Sequence, residues 1–253
     1  MQKVADELGG KIRFVFTINE PNVYASFGYM TGEWPPQEKN IWAFLRVYYH
    51  LTLAHKSAYK IMKRRNKSIQ VGVATQMGNI QAKRKHNVTD QVMVKTMRYA
   101  WNWWFVNRIK KHQDFVGFNY YFTDYYRGFK AENPKAPLND LGWYMEPEGL
   151  YPLLLCVNNR YKCPIYITEN GVADAHDRYR RWWIEESIVS MERAISEGVD
   201  VRGYFHWSLL DNFEWAYGWW PKFGLVEVNR RTMKRTVRPS AKWFAERIKD
   251  LTP

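Results

Sequence analysis

Hydrophobic positions along the chain fall into short β-rich runs separated by longer stripes with a helical repeat. Residues 11–18 (KIRFVFTI) are aromatic and β-branched and stop at Asn19-Glu20-Pro21, which predicts a strand whose end opens into a loop. Asn40 then caps a long helix, in which Ile41, Phe44, Tyr48, Leu51, His55, Ala58 and Met62 recur at three- and four-residue steps as far as about Arg65. His55 falls on that apolar stripe, where a hydrogen-bonded core histidine is expected. His50 is five positions away, off the face a metal-binding pair would need. Four further strands are expected at 68–74 (SIQVGVA), 114–119 (DFVGFN), 164–168 (PIYIT) and 201–207 (VRGYFHW). Helices are expected over 88–110, about 148–160 and 178–197, the last stopped by Gly198. Residues 223–228 and 233–237 suggest a small hairpin, ahead of a last helix over 240–250.

Strands that alternate with helices imply an α/β fold with a mostly parallel sheet and helices packed outside it. No glycine-rich phosphate loop follows any strand, which removes the usual nucleotide-binding readings and leaves another open sheet or a barrel. In a barrel of βα units, chemistry sits at the C-terminal ends of the strands. This sequence puts polar residues at those ends.

The 253 residues are 46% hydrophobic and 25% charged, the composition of a globular chain. No apolar run is long enough to span a membrane and the first ten residues are amphipathic, so a soluble, cytoplasmic protein is expected. Cys156 and Cys163 form no CxxC pattern, so no disulfide framework, metal site or cofactor is expected. The net charge of +13 resides in short basic runs at 63–67, 83–86, 178–181 and 230–238, each at a helix end or in a loop. A solvated basic surface accounts for them, and binding to nucleic acid is the alternative class they leave open.

The first strand ends in Asn19-Glu20 and the fourth in Glu169-Asn170, two carboxylates brought to one rim from distant parts of the chain. Facing carboxylates are the equipment of glycoside hydrolysis, one protonated to assist the leaving oxygen and the other ionised. Each could equally be a helix cap or a loop carboxylate. The motifs decide between these readings. Thr17-Ile18-Asn19-Glu20-Pro21, Phe118-Asn119-Tyr120-Tyr121, residues 166–171 (YITENG) and residues 207–215 (WSLLDNFEW) resemble glycoside hydrolase family 1, the β-glucosidase and β-galactosidase family, from about residue 10 onward.

The resemblance implies a retaining β-glycosidase, with Glu20 as acid/base and Glu169 as nucleophile, their carboxyls ~5 Å apart. It implies that Tyr121 orients the nucleophile and that Asn19 holds the sugar 2-hydroxyl. It also implies that Asn119, Trp207, Glu214, Trp215 and Phe223 belong to the substrate site. Glu214 would repel a phosphosugar, and the presence of Glu20 favours ordinary O-glycosides. In the family, the TINEP segment belongs to the fourth barrel strand, whereas here it starts at residue 17. The five expected strands would then be strands four to eight of a (β/α)8 TIM barrel, an incomplete barrel in which residues 1–253 form one partial domain. Three absent units would amount to roughly 90 residues, including a glutamine and a histidine of the family's sugar site. Such a chain is expected to need a complementary N-terminal barrel fragment or a second copy of itself. An inactive half-barrel that only binds carbohydrate is the alternative.

Overall fold

The computed structural model describes residues 1–251. The chain runs α1 (Gln2–Leu8), β1 (Phe14–Asn19), α2 (Pro21–Tyr29), α3 (Ile41–Arg65), β2 (Gln70–Gln76), β3 (Asn79–Ala82), α4 (Val88–Met97) and α5 (Trp104–Ile109). It continues with β4 (Val116–Tyr120), β5 (Thr123–Arg127), β6 (Lys130–Ala131), α6 (Leu150–Tyr161), β7 (Ile165–Asn170) and α7 (Arg180–Ser196). β8 (Val201–His206), β9 (Val226–Val228), β10 (Arg235–Val237) and α8 (Pro239–Leu251) complete it. The five strands expected from the sequence form one sheet in the order β1-β2-β4-β7-β8, every neighbour parallel.

The sheet's helix-facing side is the main core. Val116, Phe118, Ile165 and Ile167 of β4 and β7 are fully buried against Leu150, Leu154 and Trp183 of α6 and α7. Beside them α3 folds as expected. Asn40 Oδ1 accepts from the backbone N–H groups of Trp42 and Ala43 (2.9 and 3.2 Å), and Tyr48, His55, Ala58 and Met62 face inward. His55 is the satisfied core histidine. Its Nε2 lies 2.7 Å from the His112 carbonyl, which can only accept, so Nε2 carries the proton and Nδ1 accepts from the Thr17 hydroxyl at 2.6 Å. Burial depresses its pKa to about 4, which keeps the ring neutral.

The opposite face of the sheet is aromatic and partly open. Phe14, Phe16, Phe115 and Tyr166 pack edge to face at 5.0–6.2 Å, yet Phe14 and Phe16 stay 39% and 40% exposed, and Phe205 of β8 is 53% exposed. β1 and β8 are the two unpaired edges of this sheet.

Several boundaries differ from expectation. β4 starts at Val116 rather than at residue 114, because the Asp114 carboxylate is used as a side chain: it accepts from the Val71 N–H and pairs with Lys63 Nζ, each at 2.7 Å. The expected helix over 88–110 contains a π-helical stretch, Arg98–Trp103. That wider turn brings Asn102 onto Gly78, whose N–H and C=O it binds at 3.2 and 2.9 Å. A small sheet, β3-β5-β6, occupies part of what the sequence leaves as loop, its Ile80 and Ala82 packing with Val94 of α4. The expected hairpin forms from β9 and β10 but begins at Val226, because residues 223–225 pair instead with the segment around Ser208.

Candidate active site

The ends of the parallel strands form a polar rung. In register, Asn19 faces Ala74, Gln76 faces Asn119, Asn119 faces Glu169, and Asn170 faces His206. Glu20 follows directly on β1. Its N–H donates to the Ala74 carbonyl at 2.7 Å and its carbonyl accepts from Tyr24 N at 2.9 Å, which holds it in the left-handed region (φ 46°, ψ 57°) as the N-cap of α2. A residue with a Cβ pays about 1–2 kcal/mol there, so these bonds and Pro21 at the first helical position hold a strained residue in place.

A cavity of about 610 Å³ opens over this rung, and Asn19, Glu20, Tyr121, Glu169, Trp207, Glu214, Trp215 and Phe223 all line it. Of the site residues expected from the sequence, Asn119 alone is missing from its wall. Asn119 is fully buried behind it, where its Nδ2 donates to Glu20 Oε1 at 2.9 Å and to Asn19 Oδ1 at 3.3 Å, and its Oδ1 accepts from Thr168 Oγ1 at 2.5 Å. The Tyr121 hydroxyl donates to Glu169 Oε2 at 2.7 Å.

The loop between β8 and β9 carries the other wall. It is anchored by Asp211 and Arg238, a buried bidentate pair at 3.1 Å per bond, with Gly224 N also donating to Asp211 Oδ1 at 3.0 Å. Asp211 therefore serves the loop rather than the chemistry. Gly171, next to the Glu169 strand end, lies so close to the Trp207 carbonyl that a Cβ would collide with it. Trp215 stacks on Trp34 at 4.7 Å, a contact between this loop and the one after α2.

Glu20, Glu169 and Glu214 line the cavity together and burial raises the pKa of each. Glu20 is pushed up to about 8 by burial first and the Glu169 charge second, with the Asn119 amide opposing. Glu214 is raised to about 7, again by burial and then by Glu169, while a bond with Trp207 opposes. Glu169 is raised by burial, against bonds from Tyr121, Asn119 and Asn19 that favour its ionised form. At neutral pH the arrangement holds Glu20 as a proton donor beside a carboxylate that hydrogen bonds keep ionisable.

Sequence reasoning missed several residues that line the cavity, among them Trp34, Gln76, Trp101, Asp124 and Trp143. Only aromatic content hinted at the tryptophans, and nothing marked which of them would face solvent-accessible space. Among the described residues, no group of three or more His, Cys, Asp and Glu could hold a metal ion, and no helix is long and apolar enough to cross a membrane. Both cysteines are free thiols.

The sequence pattern of glycosyl hydrolase family 1 matches residues 1–108 and 106–252. The chain is 30% identical to β-glucosidase A of Acetivibrio thermocellus, over 96% of its own length and 65% of that protein's. It is 33% identical to a β-galactosidase of Saccharolobus solfataricus, over 91% of its length and 54% of that protein's. The solved structure of the Thermotoga maritima β-glucosidase in complex with glucoimidazole superposes with a TM-score of 0.92 at 28% identity, covering 98% of this chain and 66% of that one. The chain thus spans between about half and two thirds of the length of these relatives. The superposed structures are TIM barrels, of which the parallel sheet and its outer helices are a part.

Proposed function

Because the chain belongs to glycosyl hydrolase family 1, we propose that it is a retaining glycosidase of β-D-glucosides or β-D-galactosides. The observation that carries this reading is the pairing, in one cavity, of a carboxyl held protonated and a second carboxylate fixed by a tyrosine hydroxyl. In the first step, ionised Glu169 attacks the anomeric carbon while Glu20 gives its proton to the departing glycosidic oxygen. The glycosyl ester cancels the Glu169 charge, which removes one cause of the raised Glu20 pKa. Glu20, left as a carboxylate by that transfer, then takes a proton from the water that attacks the same carbon, expelling Glu169 and restoring the β configuration.

The remaining side chains bind and orient. Asn19 is assigned to the sugar 2-hydroxyl, Glu214 to a pair of hydroxyls, Trp207 and Trp215 to the faces and edges of the ring, and Phe223 to the wall. Asn119 is assigned a positioning role, since it holds Glu20 from behind the cavity. We place residues 1–253 in one partial-barrel domain, in the cytoplasm, with no cofactor. A complementary set of βα units, or a second copy of the chain, is proposed to cover the open aromatic face. A second hollow of about 390 Å³, lined from both sheet edges by Phe16, Phe205 and Leu209, supports that proposal.

The test is hydrolysis of a chromogenic β-glucoside by the purified chain, with Glu169→Ala as control and the solution mass measured on the same fractions. Turnover that vanishes in the variant supports the reading. A folded chain that binds the glycoside without turning it over favours the carbohydrate-binding half-barrel, for which the exposed Phe16 and Phe205 speak.

A further inference from the structure

α3 buries one stripe of its surface in the core, and on its far side Trp42, Leu45, Tyr49 and Leu53 recur at steps of three and four. Trp42 is 76% exposed and the other three 39–48%. Single exposed apolar residues are ordinary, but the outward face of a surface helix is normally polar, and four such residues in a row mark a surface that meets something. The row lies over neither flank of the helix. On the α1 flank Ala5 packs with Met62, and Arg65 lies 4.0 Å from Asp6, while on the α5 flank Tyr48 stacks on Trp104 at 4.5 Å. A helix packed beside α3 would sit on those flanks and leave the row uncovered.

Cations share this face. At about 3.6 residues per turn Arg46, Lys60 and Arg64 align with Trp42 and Leu53, and Lys56 aligns with Tyr49. Among the described residues none of these four cations pairs with a carboxylate, and the 25 residues of α3 include no Asp or Glu. The nearby acids leave the charge standing: Asp114 is taken up by Lys63 at 2.7 Å, and Glu38 lines a hollow beside Trp42 at the start of the helix. Burial and then the charges of Lys60, Lys56 and Lys111 lower the pKa of His112, so positive charge accumulates where α3 passes the end of α5.

Unpaired cations attract any phosphate-bearing surface, and the apolar row decides which one fits. Leu45 and Leu53 have no π face to stack on a base, whereas aliphatic side chains and an indole suit the boundary between lipid headgroups and acyl chains. A second copy of the chain, with its net charge of +13, would set like charge against like. We propose that the outward face of α3 docks on an anionic lipid bilayer. Trp42, Leu45, Tyr49 and Leu53 enter the headgroup boundary, and Arg46, Lys56, Lys60 and Arg64 meet lipid phosphates. From Trp42 to Arg64 the face runs about 33 Å, so the helix lies flat on the surface and crosses nothing. This docking is independent of the chemistry assigned to the cavity.

The test is flotation of the whole chain with vesicles of phosphatidylcholine alone and of phosphatidylcholine mixed equally with phosphatidylglycerol, at low and high salt, with no readout of turnover. Binding is expected on the mixed vesicles, at least about tenfold weaker without the anionic lipid, and weaker at high salt. Trp42→Ser should weaken it about tenfold, and Lys60→Gln and Arg64→Gln about fivefold each. All three side chains are exposed, so these variants keep the fold. Phe129→Ser, which removes an 84% exposed aromatic from the turn between β5 and β6, and Arg178→Gln should leave it unchanged. No binding, equal binding to both kinds of vesicle, or equal losses from the two control variants would overturn the proposal. So would vesicle binding that survives every substitution on α3, which would place the contact on another surface such as the open aromatic face of the sheet. Binding to a DNA duplex but to neither vesicle would assign the cations to nucleic acid and overturn it as well.

Discussion

The middle of the sheet and its two edges are built from the same alternation of large apolar side chains but end in opposite states. In β4 and β7 the helix-facing residues Phe118 and Ile167 are fully buried, and strands pair on both sides. In β1 and β8 one side of each strand has no neighbour, and Phe16 and Phe205 point their apolar surface into an open hollow. An aromatic residue on an edge strand is a liability unless something covers it. The difference also divides the carboxylate pair. Glu169 ends an interior strand braced by β4 and β8, whereas Glu20 follows the outermost one and depends on Ala74, Asn119 and Tyr24 to hold it.

The largest effects should separate those two carboxylates. Glu169→Gln is expected to abolish turnover of every β-glycoside, whatever its leaving group. Glu20→Gln is expected to cost about 10²–10⁴-fold with a sugar or alkyl leaving group but much less with a dinitrophenyl one, which departs without a proton. Steady-state rates on the two substrate types check this, and equal losses would remove Glu20 as the acid. Next comes the contrast in packing. Phe118→Ala should lower stability by about 3–5 kcal/mol and Phe16→Ala by about 1 kcal/mol, because Phe16 is 40% exposed. Urea denaturation of both variants measures the difference. Repeating it with the three leading βα units of a relative supplied in trans should enlarge the Phe16 effect, if those units cover it.

How far the sequence could be read follows the same division. The central strands, the Asn40 cap and the α3 stripe were legible because each satisfies a local rule: a short apolar run, a capping side chain, a repeat of three and four. The placement of Glu20 and Glu169 at strand ends was legible because each follows a short apolar run that stops at polar residues. The small sheet β3-β5-β6 was not, since its strands are short and polar, and their pairing depends on where α4 packs. The π-helical turn could not be read either, because it reflects a tertiary clamp between Asn102 and Gly78 rather than any local preference. Gln76 lies just beyond the strand expected over 68–74 and no motif marked it. Only the position of Trp101, 25 residues on, shows that its amide is fixed and half-satisfied.

Protonation extends the comparison to pH. Glu20 holds its proton up to about 8 when folded, against an ordinary value of 4.5, so across that interval the unfolded chain has released a proton that the folded chain retains. Glu20 therefore contributes a fall in stability as pH rises from about 4.5 to about 8, levelling off above it. Glu20→Gln, which cannot ionise, should remove that slope and be more stable than the parent at pH 8 by a few kcal/mol. Chemical denaturation of parent and variant at pH 5, 6.5 and 8 checks the sign, and a parent-minus-variant stability difference that rises with pH would contradict it. Catalysis should follow the same group, with the rate declining above about pH 8 as Glu20 loses its proton.

The smallest expected effect lies on the braced strand. The Tyr121 hydroxyl bonds Glu169 Oε2 at 2.7 Å and favours its ionised form, in opposition to burial. Tyr121→Phe removes that bond without changing the shape of the wall, so the Glu169 pKa rises further. Catalysis needs Glu169 ionised, and the acidic limb of the rate profile must therefore move to higher pH while the alkaline limb, set by Glu20, stays nearly fixed. The lost bond is one to a charged group, among the stronger kinds of hydrogen bond, so the movement should be resolved in a pH–rate profile. At the plateau the loss of rate should be about tenfold or less, since the remaining carboxylate is still held by its strand and by the neighbouring amides. An acidic limb that does not move, with the rate reduced equally at all pH values, would show that Tyr121 acts on the geometry of the nucleophile and not on its charge.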